Sequence, residues 1–332
     1  MSTNHVTKVA VFIFILVVGF ILRTMYDAGE FKTLEPHYSG DCSSVAGVVG
    51  AEDITFLENG TALISSDNRR GRMNGSLAQG TIYQYRPKAK DHKLVNLRPE
   101  LDTGFHPHGI SVYEDPDGKI FLAVVNHHSG GLFNSSEGHS IEIFRYDVDS
   151  LFHIRSVSGP LMISPNDIVL INKDQFYVTN DHGSSSGLMQ TLEEYLQLRR
   201  CNALFYDGKK FSVAASGLGF ANGININRDG SLLYVAETIG KQLSIFSRDK
   251  NTNDLELIES IDFNSGVDNI EIDSDGNLWI GSHPKMYTFS RHMNDSTVLS
   301  PSQVYKVSLD QSNNYTIAVS YTHLTLPTNR EV

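Results

Sequence analysis

The chain has 332 residues, 40% of them hydrophobic, and a net charge of −11. That apolar content is enough for one large core, and an acidic balance with no basic run argues against a nucleic-acid partner. Two cysteines, Cys42 and Cys201, can form at most one disulfide, too few for a disulfide scaffold.

The first element is a run of 14 apolar residues, "VAVFIFILVVGFIL" from Val9 to Leu22, flanked by Lys8 and Arg23. At 1.5 Å per residue such a run spans roughly 21 Å, against ~30 Å for a bilayer's hydrocarbon core. No clear small-x-small cleavage site follows it in "LRTMYDAGEF". Residues 1–26 are therefore expected to form a hydrophobic leader helix, either a retained signal anchor or a cleaved signal peptide. Both readings place the body in the secretory pathway, membrane-anchored or secreted. The sequons at Asn74, Asn134, Asn294 and Asn314 are glycosylation candidates in keeping with that route, whereas Asn59 sits in a tight turn.

From Ala51 onward one unit recurs five times: "AEDITFLENGTALIS", "PHGISVYEDPDGKIFLAVV", "PNDIVLINKDQFYVTN", "ANGININRDGSLLYVAE" and "VDNIEIDSDGNLWIGS". Each has two small or polar residues, an isoleucine, a short alternating strand, a turn and a second apolar strand. The turns are Asn59-Gly60, Asp117-Gly118, Lys173-Asp174, Asp229-Gly230 and Asp275-Gly276, mostly hairpin dipeptides. Ile54, Ile110, Ile168, Ile224 and Ile270 recur at spacings of 56, 58, 56 and 46. A period of roughly 40 to 60 residues with several strands per unit predicts an all-β propeller. Outer strands are read in "GTIYQYRP", "SIEIFRYDV", "QLSIFSRD", "MYTFSR", "SQVYKVSL" and "YTIAVS". One helix interrupts them at "GLMQTLEEYLQLRR", where Leu188, Met189, Leu192, Tyr195 and Leu196 fall at helical spacing.

In a propeller the inner strands start on one face beside a central channel. Residues just before the five isoleucines should meet there: Glu52 and Asp53, His108, Asn166 and Asp167, Asn222, and Asp268 and Asn269. Carboxylates and amides with no basic residue among them are hard oxygen donors, the set that suits Ca²⁺ rather than zinc.

The motifs "GAEDI", "FHPHGIS", "VVNHH", "PNDIV", "YVTNDH", "GFANGIN", "VDNI" and "LWIGSHP" resemble, in order, those of the paraoxonases, or serum arylesterases. The resemblance runs from about Cys42 to His283 and more loosely to Ser320. It implies a six-bladed propeller over residues 40–320, two calcium ions, and hydrolysis of lactones, aryl esters and sometimes organophosphates. By motif, the catalytic ion would take Glu52, Asn166, Asn222, Asp268 and Asn269. The structural ion would take Asp53, Asp167 and the backbone carbonyl of Ile110. His108 and His127 resemble the family's histidine dyad. Such a set makes chemical sense: a cation with open coordination polarises a carbonyl, and a histidine takes a proton from water near neutral pH.

Several positions depart from the family pattern. His106 stands where Asn is usual, "SGGLFNSSEGHS" after His127 is longer, and Ser282 replaces the cysteine of mammalian members. Cys42 matches a disulfide cysteine whose partner is absent. Residues 321–332, "YTHLTLPTNREV", resemble nothing in the family, so the sixth blade is expected to be incomplete and Cys42 unpaired. The implied partners are a small ester or lactone and a membrane or lipid surface met through the leader. The rival expectation is a non-catalytic, membrane-anchored chaperone or accessory subunit.

Overall fold

A computed structural model describes residues 3–99, 101, 104–128, 138–309 and 315–324. It contains five sheets, each of four antiparallel strands. Blade 1 holds β1 (Ala51–Phe56), β2 (Ala62–Ser66), β3 (Thr81–Tyr85) and β4 (Leu94–Asn96). Blade 2 holds β5 (Pro107–Glu114), β6 (Ile120–His127), β7 (His139–Asp147) and β8 (Ser150–Val157). Blade 3 holds β9 (Pro165–Leu170), β10 (Phe176–Asn180), β11 (Cys201–Tyr206) and β12 (Phe211–Leu218). Blade 4 holds β13 (Ala221–Ile226), β14 (Leu232–Glu237), β15 (Gln242–Arg248) and β16 (Leu255–Asp262). Blade 5 holds β17 (Gly266–Ile272), β18 (Leu278–His283), β19 (Ser302–Leu309) and β20 (Tyr315–His323).

Each repeat is the inner hairpin of one blade. Gly60, Gly118, Gly230 and Gly276 sit at φ between +73° and +83°, the left-handed conformation their hairpin turns demand. The turn at Lys173-Asp174 lacks such a glycine. There the Asn172 side chain closes the turn, accepting from the backbone N–H groups of Asp174 (2.9 Å) and Gln175 (3.0 Å).

The pair of residues before each isoleucine is a β-bulge. The register slips between Ala51 and Ile54, Pro107 and Ile110, Ala221 and Ile224, and Val267 and Ile270, and in blade 3 where Pro165 and Ile168 face Asn180 and Val178. A bulge sets two residues against one and bends the strand. Five bulges in phase therefore bring five pairs of residues around one channel.

Alternation along the strands divides each blade's apolar residues between its two neighbours. In blade 3, Ile168 and Leu170 pack toward blade 2 while Val169 packs toward blade 4. The core is accordingly four clusters, one at each junction from blades 1–2 to blades 4–5. None of the four joins blade 5 to blade 1. Ile110, Ile168, Ile224 and Ile270 are at most 4% exposed, but Ile54 at this seam is 38% exposed, with Phe56 and Trp279 also open.

The expected six-bladed propeller with an incomplete sixth blade is corrected here: the described residues form five blades. The repeats themselves number five, and the sixth blade came from the family resemblance alone. The inner strands β1 and β17 meet directly, Asn269 Nδ2 donating to the Glu52 carbonyl at 2.8 Å. The boundary drawn at residue 320 falls inside β20, where Thr322 exchanges backbone hydrogen bonds with His37.

Four helices complete the described chain: α1 (Thr3–Asp27), α2 (Arg69–Met73), α3 (Gly187–Tyr195) and α4 (Met286–Asn294). The stretch "MYTFSR", expected as an outer strand, lies in α4. The free edge of β18, which the next outer strand would take, is paired with β19 instead. As a helix it buries His292 and lays Phe289 on the His283 ring, centroids 3.5 Å apart. The helix α1 is long and apolar enough over His5–Asp27 to cross a membrane, and none of its apolar window is buried by the rest of the chain.

Candidate active site

Each bulge sends its first residue into the ring and its second toward the neighbouring blade. The first residues are Glu52, His108, Asn166, Asn222 and Asp268; the second are Asp53, Gly109, Asp167, Gly223 and Asn269.

The second layer joins blades. Asp53 accepts from Ile54 N–H and, across the junction, from Ile110 N–H, both at 2.8 Å. Asp167 repeats this with Ile168 at 2.7 Å and Ile224 at 2.8 Å. The alternate positions must be glycine. A Cβ on Gly109 would collide with the Asp167 carboxylate and lie 2.5 Å from its Cα; one on Gly223 would lie 2.5 Å from the Asp268 carbonyl oxygen. The alternation of acid and glycine thus lets one blade's carboxylate reach the next blade's backbone. Ile110 enters this layer through its N–H.

The first layer carries the chemistry. Glu52 is bound by the Arg69 guanidinium, and its Oε1 lies 3.0 Å from His108 Nε2, off the line of a hydrogen bond. Asn166 Nδ2 donates to Asp181 (3.0 Å), and Asn222 Nδ2 donates to Thr238 Oγ1 (3.1 Å). Asp268 Oδ2 meets His283 Nε2 at 2.7 Å. His127, at the end of β6, stands edge-on to His108 with ring centroids 5.0 Å apart, and its Nδ1 lies 2.8 Å from His139 Nδ1.

Charge in this ring is set by burial and by two arginines. Burial alone would raise the Glu52 pKa, but the charges of Arg69 and His108, close against its carboxylate, hold it well below the usual carboxylate range. Burial pushes Asp53 up to about 7 against the pull of its two N–H donors, with Glu52 and Asp268 adding repulsion. Asp167 is raised well above the usual range by burial and by Asp53. Burial drives His127 well below 6.5, and the neighbouring charges of His108, His139, Arg69 and Arg72 reinforce it. His182 goes the other way: burial disfavours its charge, but Asp181 and Glu194 raise it to about 10.

Sequence reasoning missed several of these groups. Arg69 contradicts the expectation of a ring without a basic residue. The signal was present, because "DNRRGR" directly follows β2, whose end lies opposite the start of β1. Arg72 pairs with Asp67 at 2.6 Å, and Asp67 meets His106 at 3.1 Å, so the residue at the unusual His106 position is tied to α2. His139 and Glu271 were also unforeseen; the latter is a carboxylate raised well above its usual range by burial and by Asp53. Cys42 and Cys201 are both free, as expected for Cys42. Asn74 and Asn294 are exposed, while Asn134 and Asn314 lie outside the described residues.

The donor chemistry fits a hard cation. Asn166 Oδ1 and Asn222 Oδ1 are buried and meet no donor. Among the described residues, Asp53 and Asp167 have no cationic partner, and no three His, Cys, Asp or Glu side chains close on one point at metal-ligand spacing. The open amide oxygens are what the ring adds to its carboxylates.

A profile of the arylesterase family matches residues 34–324. The chain is 31% identical over 264 residues to Homo sapiens serum paraoxonase/arylesterase 1, covering 76% of this chain and 72% of that protein. It is 32% identical over 272 residues to Rattus norvegicus serum paraoxonase/arylesterase 2, covering 78% and 75%. Among solved structures, a luciferin-regenerating enzyme aligns with a TM-score of 0.52 at 12% identity, over 85% of this chain and 78% of that one, a likeness of fold.

Proposed function

The chain belongs to the arylesterase family, and from that premise we propose that the bulge ring is a calcium-dependent site hydrolysing aryl esters and lactones. Family membership supports ester- or lactone-type hydrolysis at the general level. The observation that carries the finer reading is the pair of buried, donor-less amide oxygens on Asn166 and Asn222, facing the same ring as Glu52 and Asp268. Glu52, Asn166, Asn222, Asp268 and Asn269 would hold one calcium ion; Asp53, Asp167 and the Ile110 backbone carbonyl would hold a second. A bound ion there would supply a Lewis acid for the substrate carbonyl and for the negative charge that grows on its oxygen.

The chain's own groups do the rest. Burial keeps His127 neutral at physiological pH, so it is available to take a proton from water. His108 lies between Glu52 and His127 and orders that side of the ring. The Asp268–His283 pair and the Asn166–Asp181 hydrogen bond hold two of the oxygen donors in place.

The leader supports a site near a membrane. Lys241 Nζ donates to the Asp27 carbonyl at 3.1 Å, Met286 N–H to the Ala28 carbonyl at 2.9 Å, and Thr288 Oγ1 to Glu30 at 2.6 Å. These contacts fix the end of α1 to blades 4 and 5, on the face where the inner strands begin.

Arg69 favours a second reading, since a guanidinium on Glu52 neutralises a ligand without any metal. That reading is a non-catalytic accessory protein at a membrane. The discriminating experiment is a screen of aryl esters and lactones with calcium and with chelator. Hydrolysis that disappears with chelator and with His127→Gln supports the esterase; calcium binding without hydrolysis supports the accessory protein.

A further inference from the structure

We propose that His139, the first residue of β7, positions His127 as the general base by keeping the proton on His127 Nδ1 and leaving Nε2 free. The proposal rests on the esterase reading above and assigns a role to a residue outside the expected histidine pair.

The proton's place follows from the contact with His127 taken together with the acceptor on the far side of His139. His127 Nδ1 and His139 Nδ1 are 2.8 Å apart, with the rings nearly perpendicular at 87°. Two nitrogens at that distance share one proton, so one donates and the other accepts. The Ile163 backbone carbonyl hydrogen-bonds to the His139 ring, and a carbonyl only accepts. Because His139 Nδ1 is turned to His127, the proton facing Ile163 is assigned to Nε2. A neutral imidazole has one proton, so His139 Nδ1 is bare and accepts from His127 Nδ1–H. His127 Nε2 then carries the lone pair.

The other side of the cluster agrees. Arg69 Nη2 lies 3.3 Å from His108 Nδ1, and a guanidinium only donates. His108 Nδ1 therefore accepts, its proton sits on Nε2 facing Glu52, and His108 is not the base. The charged and titratable groups around the pair are His108, Arg69 and Arg72 beside His127, and His108, His128 and Asp181 beside His139. In the reaction a water proton passes to His127 Nε2 as the hydroxide oxygen bonds to the carbonyl carbon. The proton then goes to the leaving oxygen as its bond to carbon breaks. Throughout, His127 Nδ1–H stays on His139.

The test compares His139→Leu, which cannot accept, with His139→Asn, whose side-chain carbonyl can, in the calcium-loaded full chain. His139→Leu is expected to lower kcat by about 10- to 100-fold with KM little changed. It should also shift the acid limb of the rate profile, since His139 is one of the groups that set the His127 pKa. His139→Asn should recover most of kcat. Nitrogen-15 spectra of the imidazoles, assigned with His127→Gln, should show His127 protonated at Nδ1 in the unsubstituted protein and redistributed in His139→Leu. A His127 proton found on Nε2, or a His139→Leu protein with unchanged kcat and pH profile, overturns the proposal. The spectra need no turnover, so they decide the His127–His139 contact even where no ester is hydrolysed and the esterase reading itself falls.

Discussion

Glu52 and Asp53 are adjacent carboxylic acids, yet their surroundings differ sharply. Glu52 faces the ring, bound by Arg69 and beside His108, and is held ionised. Asp53 turns away, spends both oxygens on backbone N–H groups of its own blade and the next, and is pushed toward neutrality. Asn166 and Asp167 show the same split. A bulge accounts for it: by setting two residues against one it turns neighbours into different layers, one for chemistry and one for joining blades. The junctions divide as sharply. Four are filled by apolar clusters, while the seam between blades 5 and 1 meets through Asn269 and leaves Ile54 open.

The largest effect is expected from Gly109→Val, which fills space taken by Asp167. Overpacking of this kind costs about 3 kcal/mol or more, and expression trials with circular dichroism should find no folded protein. Next, Ile224→Ala at a packed junction should cost about 2–5 kcal/mol by urea unfolding. Ile54→Ala at the seam should stay within about 0.5 kcal/mol, and equal losses would erase the distinction between junctions. Asp167→Ala strands two buried N–H groups, at Ile168 and Ile224, for about 2 kcal/mol. A further effect concerns pH. His182 has a folded pKa of about 10, above its ordinary 6.5. Its stabilising contribution is full below 6.5 and is lost as pH rises through about 10. The melting temperature should therefore fall more steeply between pH 7 and 10 in the unsubstituted protein than in His182→Asn.

The hairpins and the ring were legible in the sequence because each rests on a local signal. The isoleucine phase marks the inner strands, and Asn-Gly and Asp-Gly mark their turns. The bulges were visible as small or polar pairs, though not their division into layers, which depends on what the neighbouring blade offers. Arg69 and His139 were harder to see. Arg69 approaches Glu52 only once β2 folds back on β1, and His139 approaches His127 only once β6 and β7 pair across a long connection. The number of blades was misjudged because it was taken from resemblance, while the repeats already gave five. Residues 286–291 alternate like a strand, but the edge of β18 that they would follow onto is taken by β19.

The central claim is that the first layer of the ring holds a catalytic cation, and Asn222 tests it most directly, since its Oδ1 is buried without a donor. The measurement is hydrolysis rate and melting temperature against calcium concentration, for the unsubstituted protein and for Asn222→Ala. Calcium should raise the melting temperature by mass action and a chelator should reverse it. Asn222→Ala should lose about 10²-fold in rate for no more than about 1 kcal/mol of stability. A melting temperature indifferent to calcium, together with a rate that Asn222→Ala leaves unchanged, would contradict it.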